Sequence, residues 1–374
     1  MRRLDTIFRL GIKELRSLRA DLALVFLILY TFTVAVYTVA TGQKFEVENA
    51  AVAVVDDDRS ELSRDIRHAL LPPYFKPAVQ IGADEVDRAL DTGRFMFVIE
   101  IPPKFESDVL AARRPSVLLN IDATAMSQAG NGAVYIQNIV AQQVLAYTQR
   151  REGGSATPVD LVVRARFNPN LQSSWFTSVM QVINNVTMLS VILAGAALIR
   201  EREHGTIEHL LVMPVTPTEI MLAKIWSNGL VIVVASVLSL AIVVQKLLGV
   251  PIAGSLALFT VGAVLYQVSV TSLGLLIATF TGSMPQFSLL VLPILIIMNL
   301  LSGSTTPMES MPAWLQAVMQ VSPSTHFVAF AQATLYRGAG TATVWPYLAA
   351  LAVISVGFLT VSLLRFRTAI ASYR

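Results

Sequence analysis

The chain has 374 residues, of which 54% are hydrophobic and 14% charged. Soluble domains carry about 25% charged residues, so this composition excludes an ordinary soluble enzyme and describes an integral membrane protein with one sizeable polar insert. Net charge is only +3 and cysteine is absent, which excludes a disulfide framework, a thiol nucleophile and a cysteine metal site, and leaves a localised basic excess that speaks to topology rather than to nucleic-acid binding.

Residues 1–21 read as an interfacial helix. Leu4, Ile7, Phe8, Ile12, Leu15 and Leu18 form one apolar stripe, and Arg2, Arg3, Arg9, Lys13, Arg16 and Arg19 supply a basic side. Helices of this kind lie in the headgroup region. The following run, 22–40, is about a full span, longer than the about 7–15 apolar residues of a signal peptide, so it is read as a retained first transmembrane helix.

Crossing the hydrocarbon takes about 20 apolar residues, and the runs 22–40, 176–199, 225–244, 256–280, 286–302 and 345–364 are read as six spans. Lysine and arginine orient them. The basic N-terminus, then Arg200, Arg202 and Lys224, then Arg365, Arg367 and Arg374 fall on one side, while the opposite short loops hold little beyond Lys246 and Arg337. Both termini and the loop after the second span are therefore expected in the cytoplasm, with 41–175 outside it.

The segment 41–175 alternates strand and helix signals and is expected to be a small α/β domain. Strands are expected at 52–55, 95–101, 117–121 and 159–167, and helices at 105–113 and 132–150. On the second of these helices, Ile136, Ile139, Val140, Val144 and Tyr147 share a face. Asp58 with Glu61 is expected to cap a further helix that runs to Leu71. The acid triplet Asp56-Asp57-Asp58 is read as a strand-to-helix turn in preference to a divalent-cation site. Gly153-Gly154-Ser155 reads as a flexible linker within the domain.

The second span carries Gln181, Asn184, Asn185 and Thr187. Polar residues at membrane depth face other helices or a cavity, so these either line a substrate path or join helices. Asn184, Asn185 and Met188, with Asn299 on the fifth span, are the candidate path residues.

Between the second and third spans lies a densely charged segment, 200–222. Bilayer hydrocarbon excludes it. Ile207, Leu210 and Leu211 have helical spacing, with Glu201, Glu203 and Glu208 at polar positions. Pro214 and Pro217 break the helix, and Thr218 with Glu219 is expected to cap the next one. The result is a short amphipathic helix at the membrane edge. After the fifth span, residues 303–340 contain Pro307, Glu309, Pro312 and Pro323, which stop a seventh plain span; they read as short re-entrant helices, allowed where protein covers the backbone.

Two of these stretches carry a family resemblance. Glu201-Arg202-Glu203-His204-Gly205-Thr206-Ile207-Glu208-His209-Leu210, followed by Pro214, resembles the coupling-helix signature of ABC-2 type transporter permeases. The pattern from Ser302-Gly303 through Pro307, Met311-Pro312, Trp314-Leu315 and Ser322-Pro323 resembles the second landmark of that family. With the topology and the outer insert the resemblance covers nearly the whole chain, and it points to the drug-efflux branch of bacterial inner-membrane permeases. It implies an all-α, six-helix membrane domain of the ABC-2, type V exporter kind, with a large extracytoplasmic α/β domain between the first two spans and a cytoplasmic elbow helix at 1–21. It implies that Glu201, Glu203, Gly205, Thr206 and Glu208 dock on a separate ATP-binding subunit. Also implied are a second permease copy or paralogue and a periplasmic adaptor, with ATP and magnesium held by the partner and no cofactor on this chain.

Absences narrow the energy source. No Gly-x-x-x-x-Gly-Lys-Ser/Thr occurs, so the chain has no P-loop of its own. Residues 247–308 contain no Asp, Glu, Lys, Arg or His, and an ion-driven transporter generally needs such groups as relays. His204 and His209 are not spaced as the pair of a zinc helix, and no serine sits in Gly-x-Ser-x-Gly. The alternative to an exporter subunit is a non-transporting membrane scaffold or receptor, which would not need the charged handle.

Overall fold

The structure, a computed structural model, describes residues 2–42, 47, 49–122, 126–152, 172–203 and 215–371. The chain divides into two units, Met1–Gly42 with Ser174–Arg374, and Gln43–Ser173.

The first unit begins with α1 (Arg2–Ala20). Asp21 ends α1 and caps α2 (Leu22–Phe32), its carboxylate accepting the Leu24 N–H at 3.2 Å. After a break at Thr33, α3 (Val34–Gly42) continues the apolar stretch. The expected stripe of α1 is not its packed face throughout, because Leu4 and Phe8 are exposed. Gly11 makes the close contact. The Trp226 ring stacks on Phe8 at 5.5 Å between centroids, and its indole N–H donates to the Ile7 carbonyl at 3.2 Å. A Cβ on Gly11 would lie 2.1 Å from that ring, so only glycine permits this approach.

In the second unit the elements are β1 (Val52–Asp56), α4 (Glu61–Ala69), β2 (Val79–Gln80), α5 (Val86–Asp91), β3 (Phe97–Ile101), α6 (Phe105–Leu110), β4 (Leu118–Ile121) and α7 (Met126–Glu152). The sheet order is β2-β1-β3-β4. Strand β1 runs parallel to β2 and β3, and β4 runs antiparallel to β3. Every residue of β1 is buried, as a strand covered on both faces should be. Its alternate side chains serve two cores. Val52 and Val54 join Leu62, Ile66, Phe97 and Ile136, while Ala53 and Val55 join Val86, Ala89 and Val98. The α7 face of Ile136, Ile139, Val140, Val144 and Tyr147 packs on the first of these.

The turn after β1 differs from the expected capping box. Ser60 caps α4, because the helix starts at Glu61 and the side chain just before it is the one that reaches the Ser63 N–H. Asp56 instead accepts from the Arg59 N–H at 2.7 Å and the Ser63 hydroxyl at 2.9 Å. Asp58 accepts the Glu106 N–H, and Glu106 in turn accepts the N–H groups of Glu61 and Leu62. The acid triplet thus knits two helix starts together. The expected strand at 159–167 and the linker at 153–155 lie outside the described residues.

Returning to the first unit, the chain forms α8 (Ser173–Glu203), α9 (Pro217–Leu238) with a π-helical extension Ser239–Leu247, α10 (Leu256–Thr279), α11 (Met284–Leu300), α12 (Ala313–Met319), α13 (Pro323–Ala331) with a π-helical turn Gln332–Tyr336, and α14 (Thr341–Ala371). Five stretches are long and apolar enough to cross a membrane: Leu22–Gly42, Ser173–Glu203, Pro217–Leu247, Leu256–Thr279 and Thr341–Thr368. The sixth expected span, α11, is a shorter apolar helix of 17 residues, about 26 Å at 1.5 Å per residue. Its end is fixed by the turn at Gly303, whose φ is +90°.

Helix α9 starts two residues earlier than expected. Thr216, not Thr218, is the cap, and it forms a reciprocal box with Glu219. Pro217 occupies the first helical position, where its missing N–H costs nothing. Helices α8 and α10 meet closely because Gly274 lets the Val191 carbonyl oxygen come to 2.4 Å from where a Cβ would be. Along the same pair, Thr187 bonds the Tyr266 hydroxyl at 2.5 Å and the Ser190 hydroxyl donates to Gln267 at 2.5 Å.

Candidate functional site

Four consecutive residues at the end of α8 each hold a different part of the first unit. Arg200 donates to Asp21, at the α1–α2 junction, at 3.2 Å. Glu201 lies 2.9 Å from Lys224 on α9, and the same ammonium lies 3.2 Å from Glu14 on α1. Arg202 donates to the carbonyls of Ala278 and Thr281 at the end of α10, at 3.1 and 3.0 Å. Such carbonyls at a helix C-terminus lack helical donors and carry partial negative charge, which suits a guanidinium. Glu203 accepts the Met284 N–H at 3.0 Å, one of the free donors at the start of α11. Nearby, Arg367 donates to Thr218 at 3.1 Å, and Arg365 lies over the Phe280 ring at 4.7 Å. The ends of α8, α10 and α14 and the starts of α9 and α11 therefore gather with α1 at one end of the unit.

Lys224 is the unexpected member. From the sequence it marks only the cytoplasmic flank of a span. In the structure its side chain is 2% exposed, between two carboxylates at 15% and 19%. A buried ammonium demands such partners. Of the expected coupling residues, Glu201 and Glu203 are turned to these intramolecular roles; Gly205, Thr206 and Glu208 lie outside the described residues.

The four expected path residues come together. Asn184, Asn185 and Met188 of α8 and Asn299 of α11 line one cavity of about 330 Å³, with Gln181, Leu295 and Ile296 among the others. Their roles differ. The Asn185 side-chain amide is buried, donates to the Thr31 carbonyl of α2 at 2.7 Å and accepts from Gln181 at 2.8 Å, so it joins helices. Asn184 is half-buried, with a long contact of 3.5 Å from the Ser304 hydroxyl, and Met188 is exposed.

Beyond α11 the chain folds back as short helices. Pro307 precedes a 3-10 turn at Met308–Ser310, Pro312 precedes α12, and Pro323 opens α13. Glu309 is exposed. Helix α13 is buried against α10, with Phe327 stacked on Tyr266 at 4.2 Å and Phe330 filling the space over Gly262. The Tyr336 hydroxyl donates to the carbonyls of Trp175 and Phe176, which anchors the fold-back to the start of α8. Among the described residues, no three histidine or acidic side chains converge to hold a metal ion.

A family profile described as ABC-2 family transporter protein matches residues 22–364. The chain belongs to the ABC-2 transporter family. The inner membrane transport permease YhhJ of Escherichia coli strain K12 is 52% identical over 372 residues, covering 100% of both chains. The probable multidrug ABC transporter permease YbhR of the same strain is 30% identical over 358 residues, 94% of this chain and 95% of the relative. The probable multidrug ABC transporter permease YbhS is 26% identical over 303 residues, 79% of each. In this ABC-2 permease the partners Asp21, Glu14 and Lys224 escaped the sequence reading. For Asp21 and Lys224 the available signal was position, each being a charge set beside an apolar run, where an unpaired charge is costly; Glu14, between Lys13 and Arg16 on the basic helix, gave none.

Proposed function

We propose that this permease is the membrane-spanning subunit of an ATP-binding cassette exporter, which moves an amphiphilic or drug-like substrate out of the cytoplasm or inner leaflet and is driven by a separate ATP-binding subunit. The observation that carries the reading is the stitch from Arg200 to Glu203. The charged segment follows directly on Glu203, so a push on it reaches α1, α2, α9, α10 and α11 together. A rigid junction of this kind suits the conversion of partner motion into helix rearrangement.

In this reading Gly205, Thr206 and Glu208, with the outer surface of Glu203, meet the ATP-binding subunit, which supplies ATP and magnesium. Both termini and this segment are cytoplasmic, and the insert 41–175 is extracytoplasmic, as the lysine and arginine distribution favours. Two copies, or this chain and a paralogue, enclose a path between α8 and α11. The cavity with Asn184, Met188 and Asn299 is its wall, apolar with a few amides, which suits amphiphiles; two relatives named as multidrug permeases support that class. The insert meets a periplasmic adaptor. The test is co-expression with an ATP-binding subunit in reconstituted membranes. Permease-dependent ATPase stimulation and vectorial movement of an amphiphilic dye support the reading, and dye movement that persists without the ATP-binding subunit overturns it.

A further inference from the structure

Two neighbouring cavities in the first unit have complementary chemistry. One, of about 290 Å³, lies among α1, α2, α8 and α9 and is polar on one side. The other, of about 600 Å³, runs between α2 and α9. Leu18 lines both.

The polar cavity has spare donors. Its acids each have a cation beside them: Asp21 pairs with Arg200, and Glu14 and Glu201, each through Oε1, pair with Lys224. Lys13 lines the cavity with no ion pair among the described residues. Asn228 also lines it, is 6% exposed, and its side-chain nitrogen has no hydrogen-bond partner among the described residues. A buried N–H left unpaired bears its desolvation penalty without compensation. The Asn228 amide N–H lacks an acceptor and the exposed Lys13 ammonium lacks a counter-ion among the described residues, and the acceptor oxygens of a phosphate suit both.

The second cavity offers the opposite. Its walls are Val25, Leu29, Leu230, Val234, Leu238 and similar side chains. Its two hydroxyls are already used: Thr33 donates to the Leu29 carbonyl and Ser239 to the Phe32 carbonyl, each at 2.5 Å. From Leu230 to Val243 the groove runs about 20 Å, more than half of an about 30 Å hydrocarbon core. An extended hydrocarbon chain matches that length and needs no hydrogen-bond partner.

We propose that these cavities form one phospholipid site, with the lipid phosphate held by Lys13 and Asn228 and one acyl chain lying in the groove between α2 and α9. The site requires only that these helices span the membrane, so it stands apart from the transport reading. It also sits against Arg200 and Glu201, so an occupied site braces the junction from which the charged segment leaves.

The probe is phosphatidylglycerol, titrated into the detergent-purified permease and followed by native mass spectrometry. Wild type is expected to hold one tightly bound lipid per chain, undisplaced by inorganic phosphate. Ala235→Phe fills part of the groove and is expected to weaken binding severalfold, because an acyl chain displaced into detergent loses its packing contacts with α2 and α9. Lys13→Glu places repulsion on an exposed side chain that no packing needs, and is expected to weaken binding as well, so the proposal remains decidable if Ala235→Phe fails to fold. Unchanged binding in Lys13→Glu and in folded Ala235→Phe overturns the proposal. So does displacement by inorganic phosphate, or an Ala235→Phe protein that loses its oligomeric state while keeping the lipid, which would assign the groove to a second copy.

Discussion

Lys224 Nζ lies 2.9 Å from Glu201 Oε1 and 3.2 Å from Glu14 Oε1, with its side chain 2% exposed. One ammonium thus ties the N-terminal helix, the end of α8 and the start of α9. Removing one partner of a buried pair costs about 3–5 kcal/mol, because the other charge stays behind without compensation. Lys224→Met is therefore expected to lower the thermal midpoint of the purified permease sharply. Adding Glu14→Gln and Glu201→Gln removes the stranded charges and restores most of it. A single variant as stable as wild type would mean that the pairing carries no weight.

The two neighbouring asparagines on α8 separate packing from transport. Asn185 bonds the Thr31 carbonyl of α2, and interhelical bonds in membranes are worth roughly 0.6–2 kcal/mol. Asn185→Leu should lower the thermal midpoint and protein level modestly. Asn184→Leu, on the cavity wall with only a long contact to Ser304, should leave stability alone and change which substrates are moved. Drug-resistance profiles together with protein levels distinguish these, and the reverse pattern would exchange the two roles.

How much of this was legible in the sequence follows from what each signal depends on. Apolar runs are local, so the long helices could be placed without knowing any partner. The run 286–302 was read as a span, and α11 has that same length, 17 residues set two positions earlier, which is short of the about 20 that cross the hydrocarbon. Both caps were misplaced by two residues: Ser60 and Thr216 do the work expected of Asp58 and Thr218, since the cap depends on where the first turn begins. Strand β2 gave no signal, being two exposed residues held only by pairing with β1. The charges Arg200 to Glu203 were visible as a segment the bilayer excludes. Their partners Asp21, Glu14 and Lys224 were not, because proximity across so much chain is decided by helix packing.

Topology has a direct test in a chain without cysteine. A single cysteine at Ser155, in the insert, should react with a membrane-impermeant thiol reagent in intact cells. Labelling that appears only after lysis would invert the proposed orientation, and with it the side from which an ATP-binding subunit approaches.

The proposed coupling role meets its most direct test in a double substitution that spares the stitch. Glu203→Gln keeps an oxygen to accept the Met284 N–H while removing the charge, so α11 retains its first-turn bond. Glu208→Ala removes a second acid from the same segment. Truncating a buried interfacial charge can cost about 2–5 kcal/mol. The measurement is ATPase stimulation in reconstituted membranes, read beside co-purification of the ATP-binding subunit. The account predicts a permease that inserts normally but no longer retains or stimulates that subunit. Full stimulation, with the subunit still bound and transport intact, would contradict it.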